Sequence, residues 1–113
     1  MVPGTNLHRA IGRQPGLSPW LGQSGRAYAL RPENLDSFAM TETGLYVIAK
    51  GPHVLWVGST QDLVADPLSR TRFRLALDCA THVFSLDVPE DRLAALWDLE
   101  QALPAPGPVA QAA

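Results

Sequence analysis

The sequence predicts a small α+β domain in which two helices cover a mainly antiparallel sheet of three or four strands. Two apolar runs, 45–49 and 54–57, flank the turn-forming residues Lys-Gly-Pro-His at 50–53, which is typical of a β-hairpin. Two later segments begin with helix-start signals, and a segment of alternating apolar and polar residues lies between them. Together these three patterns favour an α+β fold.

The composition limits the class of protein. The chain has 113 residues, enough for one domain with one core, and a net charge of −2. That charge and an acidic isoelectric point near 5.8 disfavour general nucleic-acid binding, which usually needs a basic surface. The single cysteine, Cys79, excludes an internal disulfide and a cysteine-based zinc site, and we expect it in the core. No apolar run approaches the ~18 residues of a membrane span, and no secretory pattern opens the chain, so we expect a cytoplasmic protein.

Three parts are predicted along the chain. Residues 1–25, rich in Gly, Pro and Ser, are expected to form an irregular N-terminal arm whose Trp20 docks on the domain. The domain itself is expected over 26–104, beginning with an edge strand at 26–31 that a proline ends. Residues 105–113 are expected to form a flexible Pro/Ala-rich tail.

The hairpin is the predicted centre of the sheet. Its two runs are almost continuously apolar instead of alternating. That pattern indicates strands that are covered on both faces. A polar loop, 59–63, is expected to follow the second strand.

The first helix is expected to run from Pro67 to about Ala80, because Asp66 is a favourable N-cap and proline is favourable at the first helical position. Its apolar arc is broad, yet Arg72 lies inside that arc or at its edge. An alternating segment, 82–88, predicts the next strand.

The second helix is expected to start at Pro89, with acidic residues in its first turn. Its predicted apolar stripe is made by Leu93, Leu96, Trp97 and Leu103, and Glu100 lies near the middle of it. A charge on a buried face is costly unless it is paired. Arg72 and Glu100 are therefore expected to meet or to line a shared groove. Such a pair can be a structural ion pair or a catalytic one, with Glu holding a metal and Arg neutralising a phosphate.

The hairpin also carries a resemblance. Gly44-Leu45-Tyr46 on the first strand and Trp56-Val57-Gly58 on the second resemble the paired motifs of the GIY-YIG nuclease superfamily, which read Gly-Ile-Tyr and Tyr-Ile-Gly. The order hairpin, helix, strand, helix is similar to the family core, and the resemblance covers roughly 43–103. It implies a GIY-YIG-like fold.

The resemblance also implies a set of site residues. Tyr46 would be the hydroxyl that activates water and Glu100 the metal ligand for Mg²⁺ or Mn²⁺. Arg72 or Arg70, one turn later than the family's usual arginine, would be the phosphate-binding cation. As an ordinary strand tyrosine, Tyr46 would instead pack with its hydroxyl at the surface. Trp56 stands where the family usually has tyrosine, and an acid stands near the family's usual arginine position. These departures favour a degenerate, catalytically impaired member.

Binding residues and function follow from these observations. Arg70, Arg72 and Arg74 form a local basic strip that touches phosphate or is simply a solvated face, and Trp56 and Gly58 are further candidate binding residues. The first hypothesis is a non-catalytic accessory module that binds a protein partner and needs no cofactor. The second is a divergent metal-dependent DNA endonuclease. The third is nucleic-acid binding without cleavage, which the acidic isoelectric point disfavours.

Overall fold

Six strands and three helices are formed by residues 16–41 and 43–106, which are the part of the chain that the computed structural model describes. Most of the predicted arm (1–15) and of the predicted tail (107–113) lies outside it. The helices are α1 (Thr60–Ala65), α2 (Pro67–Cys79) and α3 (Arg92–Glu100). The strands are β1 (Ser18–Leu21), β2 (Ala27–Glu33), β3 (Gly44–Lys50), β4 (His53–Gly58), β5 (His82–Asp87) and β6 (Leu103–Pro104). Within 16–41 and 43–106, no helix combines the length and the apolar character that crossing a membrane requires.

The strands form one antiparallel sheet in the order β4-β3-β5-β2-β1-β6. The α+β class is as predicted, but the described residues contribute six strands instead of three or four. Residues 18–21 of the predicted arm form β1, and the two residues of β6 pair with it. Strands of two to four residues are too short for a periodic sequence signal, so only pairing with a neighbour makes them visible.

Strand β2 continues through Pro32, where the strand was expected to end. Pro32 lies opposite Phe84 and Glu33 opposite Val83 of β5. An antiparallel ladder uses N–H groups from alternate residues on each side, so a proline is tolerated between them.

The hairpin prediction is confirmed. Strands β3 and β4 pair with Tyr46 opposite Gly58 and Ile48 opposite Trp56, and Gly51 in the turn has a φ of 55°. The register shifts between Ile48 and Ala49, which leaves Leu55 of β4 as an extra residue, a β-bulge. Every β3 residue from Leu45 to Ala49 is buried, so both faces of this strand are covered as expected.

Each face of the sheet has its own core. On one face α3 covers the larger cluster, whose buried members are Trp20, Tyr28, Leu30, Leu45, Val47, Ala49, Val57, Phe84, Leu86, Ala95, Leu99 and Ala102. On the other face α1, α2 and the segment 35–40 surround the smaller cluster, whose buried members are Tyr46, Ile48, Trp56, Ala76 and Val83. The predicted docking of Trp20 is confirmed, because its indole is 2% exposed.

Helix α2 begins as predicted. The Asp66 side chain accepts a hydrogen bond from the Leu68 amide at 3.0 Å. The predicted apolar arc is only partly buried, however, since Leu68 and Leu75 are 55% and 61% exposed and Cys79 is also exposed. The helix lies near the β4 edge, and it buries fully only the small side chain of Ala76.

Helix α1 replaces the polar loop that was expected after β4. Ser59 is its N-cap and Asp62 its third residue, and the two form a capping box in which the Asp62 carboxylate accepts from the Ser59 amide at 2.7 Å. The spacing of these two residues is a recognised helix-start signal.

Helix α3 buries a different face from the one predicted. Ala95 and Leu99 are fully buried, whereas Leu93, Trp97 and Leu103 are 67%, 77% and 57% exposed. The small Ala95 allows the helix to approach the sheet closely on that side. The helix also begins at Arg92 instead of Pro89.

Candidate functional site

A groove of about 390 Å³ runs beside strand β4. Four consecutive β4 residues, 54–57, line it, and helices α2 and α3 contribute its two sides. The lining residues from the helices and their caps are Asp62, Asp66, Leu68, Ser69, Arg72, Leu96, Glu100 and Gln101.

Arg72 and Glu100 both line this groove, one from each side. This is one of the two arrangements expected from their positions in the sequence. Both side chains are exposed, so the expectation that they interrupt buried faces is wrong. The reason is that neither α2 nor α3 turns its predicted apolar stripe fully inward.

Trp56 and Gly58 are coupled by packing. The Trp56 indole is 6% exposed, donates from Nε1 to Ser69 Oγ at 3.1 Å and meets Phe73 edge-on at 4.8 Å between ring centroids. A Cβ atom on Gly58 would lie 2.6 Å from the indole ring. Packing therefore explains the glycine at this position, because it leaves room for the large ring that forms part of the groove.

Tyr46 points into the smaller core and does not line the groove. Its side chain is 4% exposed, and its hydroxyl accepts a hydrogen bond from the Thr41 amide at 2.7 Å. The Phe38 ring lies 6.2 Å from the tyrosine ring. The hydroxyl is thus held in the interior by the segment before β3, and the expectation that it would lie at the surface is wrong.

The three arginines of α2 do not act as one strip. Arg70 donates from Nη1 to the carbonyl oxygens of Leu63 and Val64, at 2.7 and 3.2 Å, and so caps the end of α1. Arg74 lines a separate depression with Arg70. Of the three, Arg72 is the one that lines the groove.

Sequence reasoning missed a polar cluster at one end of the groove. Arg92 Nη2 lies 2.6 Å from Asp62 Oδ2 and 2.9 Å from Ser59 Oγ, which ties the start of α1 to the start of α3. Burial raises the pKa of the Asp62 carboxyl, but hydrogen bonds from Arg92 and Ser59 outweigh it and hold that pKa below its usual range. The capping-box spacing was a visible signal for Ser59 and Asp62. The contribution of Arg92 was not visible, because it comes from thirty residues further along the chain.

The groove therefore contains two charged side chains, Arg72 and Glu100, that form no ion pair with the described residues. Asp62 is engaged by Arg92, and Asp66 accepts from the first turn of its own helix. Among the ion pairs of residues 16–41 and 43–106, none involves Arg72 or Glu100. The same residues contain no cluster of three or more potential metal-ligating side chains, and a metal-binding role for Glu100 stays a prediction.

Comparison with family models, curated proteins and solved structures found no match to this chain.

Proposed function

We propose that this protein is a non-catalytic accessory module with a GIY-YIG-like fold that binds a protein partner. From β3 onwards the order is hairpin, two helices, strand, helix, which supports the fold part of this proposal apart from the additional short helix α1. Further support comes from the two motifs, since Tyr46 of the first lies opposite Gly58 of the second on paired strands.

The observation that carries the proposal is the separation of the residues that hydrolysis would need to bring together. The Tyr46 hydroxyl is buried and bonded to the Thr41 amide, whereas Arg72 and Glu100 lie in a groove that Tyr46 does not line. Catalytic groups must lie within hydrogen-bond reach of the reacting atoms, directly or through one water. A hydroxyl held in the core does not satisfy that condition.

Surface chemistry favours a protein partner over a nucleic acid. The chain carries a net charge of −2, whereas a nucleic-acid site needs a basic surface. Leu55, Leu68 and Leu75 are 39%, 55% and 61% exposed. Leu55 and Leu68 line the groove with Arg72, and Leu75 lines a second depression that also includes Leu55 and Arg72. Apolar side chains around a charge are typical of protein interfaces. A cytoplasmic location is part of the same proposal.

One observation favours the alternative, a divergent metal-dependent DNA endonuclease. Arg72 and Glu100 share a groove, and a carboxylate facing a cation could serve metal and phosphate binding. For Mg²⁺ or Mn²⁺, Glu100 would be the ligand from α3, and the ion would supply charge stabilisation. The donor set fits poorly, because Asp62 and Asp66 are already engaged by Arg92 and by the Leu68 amide.

A plasmid-nicking assay tests the catalytic part of the proposal. The purified protein is incubated with supercoiled plasmid and Mg²⁺ or Mn²⁺, beside its Glu100→Ala variant. We expect the same background rate of nicking for both proteins. Metal-dependent nicking that disappears in Glu100→Ala would overturn the proposal in favour of the endonuclease.

Affinity purification from the source cells tests the binding part. We expect a protein to be recovered in stoichiometric amount after nuclease treatment. Recovery of nucleic acid alone, lost at raised salt, would instead support nucleic-acid binding without cleavage.

A further inference from the structure

Strand β4 is an edge of the sheet, and the groove follows that edge. Among residues 16–41 and 43–106, β4 pairs with β3 alone, so its outer side presents backbone N–H and C=O groups that no described strand bonds. Successive residues of a strand point to opposite faces. Since 54–57 all line the groove, the groove lies along the strand edge itself and not on one face. The opposite edge, β6, has two residues, one of them Pro104, and offers little to pair with.

The two sides of the groove belong to opposite faces of the sheet. Leu68 and Arg72 come from α2, on the face of the smaller core, and Leu96 and Glu100 come from α3, on the face of the larger core. The edge therefore lies at the bottom of a recess between two helices. A single extended chain fits such a recess, whereas a second folded copy would bring its own helices against α2 and α3. The volume of about 390 Å³ falls within the range of about 300–1,000 Å³ that is common for ligand sites.

We infer that this groove binds an extended segment of a protein partner, which pairs with β4 as an added strand. The inference rests on the proposed function and identifies the binding mode and the chemistry of the partner. Strand addition satisfies the outer backbone groups of β4, and the side pockets then read alternate side chains.

Charge defines the segment further. Arg72 on one side of the groove favours an aspartate or glutamate in the bound segment, and Glu100 on the other side favours a lysine or arginine. Because the two sides lie on opposite faces, the acidic and the basic residue of the segment must be an odd number of positions apart. Apolar residues beside them would meet Leu68 and Leu96.

The bulge limits how far the pairing extends. The β3–β4 ladder is regular from Trp56 to Gly58 and is interrupted at Leu55. Bulges on edge strands reduce indiscriminate pairing with other chains. A segment bound here therefore gains few backbone hydrogen bonds and depends on its side chains, which makes its charge pattern decisive.

A display library of short linear random peptides, selected on the purified protein, is the probe. We expect enriched peptides to carry an acidic and a basic residue an odd number of positions apart. Fluorescence anisotropy then measures the affinity of one such peptide. Arg72→Glu and Glu100→Lys should each weaken binding by about fivefold or more. A peptide whose acid is replaced by lysine should recover affinity for Arg72→Glu.

Backbone methylation separates strand addition from docking through side chains alone. N-methylation of alternate amides should weaken binding in one register and leave it unchanged in the other, because only every second amide faces β4. Matched controls are Arg74→Glu, on the same helix but outside the groove, and Glu90→Lys, an exposed acid before α3. Both should bind the peptide as the unchanged protein does.

Several results would overturn the inference. One is a selection that enriches no peptide. Another is an enriched peptide whose affinity is the same for the unchanged protein and for both groove variants. A third is a peptide whose binding is unchanged when any of its amides is methylated. A dimer in light scattering that Arg72→Glu dissociates would assign the groove to a second copy. Binding of a short DNA duplex that the same variant abolishes would assign it to nucleic acid.

The proposed accessory function does not require that the groove is the binding site. If a partner recovered from cells still binds both groove variants, the groove inference is wrong and the accessory function stands. If the plasmid assay finds Glu100-dependent nicking, the proposed function itself is wrong.

Discussion

At the scale of single residues, Gly58 is packed tightly against the indole of Trp56 beside the groove. The indole is fixed on three sides, by Ser69, by Phe73 and by the sheet beneath it. A glycine in a strand usually weakens it. Here the absence of a side chain at Gly58 leaves the space that the Trp56 ring occupies.

Replacing Gly58 by alanine is expected to destabilise the protein by about 1–3 kcal/mol, the usual cost of overpacking. The physical reason is the 2.6 Å approach of the new Cβ to the indole. Urea denaturation of the variant measures the change. In a Trp56→Leu background the same substitution should cost much less, because the ring atoms are gone. An equal cost in both backgrounds would show that the two residues are not coupled.

At the scale of elements, Asp98 of α3 holds the turn between β1 and β2. Its carboxylate accepts hydrogen bonds from the Ser24 amide at 2.7 Å, the Ser24 hydroxyl at 2.8 Å and the Tyr28 hydroxyl at 2.7 Å. A Cβ on Gly22 would overlap this carboxylate, so the turn also needs a glycine. The acidic character of α3 thus has a structural use that its sequence did not reveal.

This contact makes stability depend on pH in two windows. Burial raises the pKa of Asp98, but hydrogen bonds from Ser24 and Tyr28 outweigh it, so the pKa is lowered from its usual 3.8. The stabilisation from Asp98 is then present above that value and is lost as pH falls through the folded-state pKa. Burial first, and the Asp98 hydrogen bond second, raise the pKa of Tyr28 to about 12. The stabilisation from the neutral phenol is present below 10.0 and is lost as pH rises towards 12.

The Asp98→Asn substitution is expected to lower the pKa of Tyr28 without returning it to 10.0, because burial, the larger cause, remains. It should also cost about 1 kcal/mol of stability, since hydrogen bonds to a charged group are lost at a partly exposed site. Phenolate absorbance during alkaline titration measures the pKa, and Tyr28→Phe assigns the signal. Asp78→Asn, on the separate helix α2, is the control. An unchanged Tyr28 titration in Asp98→Asn would contradict this account.

Another contact between elements joins α1 to α3 through Asp62 and Arg92 at 2.6 Å. It fixes α3, which forms one side of the recess, to α1, the helix directly before α2 in the chain. The position of α3 beside the groove is therefore held in part by an ion pair with another helix. Neither residue needs to touch a bound segment for its loss to change the recess.

At the scale of the whole molecule, one tryptophan is buried in the main core and another is exposed on a helix surface. Trp20 is 2% exposed and meets Phe84 edge-on at 5.6 Å, while Trp97 is 77% exposed on the outer side of α3. Strand β1, which carries Trp20, thereby ties what was expected to be an irregular arm to the main core.

Trp20→Ala is expected to cost about 3–5 kcal/mol, as for other large-to-small changes in a core. Trp97→Ala, the matched change on the surface, should stay within about 0.5 kcal/mol. Thermal or urea unfolding measures both, and iodide quenching of the Trp20→Ala and Trp97→Ala proteins reports which indole is accessible. Similar costs for the two variants would mean that β1 does not belong to the core of the sheet.

The fold was largely open to prediction wherever a signal is local. The turn at 50–53, the continuous apolar run 45–49 and the Asp66-Pro67 helix start each act within a few residues, and all three appear in the structure as expected. The shared groove of Arg72 and Glu100 was also expected, although the faces that the two charges were thought to interrupt are not buried.

Tertiary structure alone decided the rest, because those features depend on contacts between distant segments. The buried face of α3 is chosen by how closely Ala95 and Leu99 approach the sheet, not by which of its stripes is most apolar. The pairing of β1 with β6 and the contact between Asp62 and Arg92 join segments that are far apart in the sequence, and local patterns do not encode them. Interactions within a few residues therefore set where the hairpin turns and where α2 starts, whereas packing between distant segments determined which side chains line the groove.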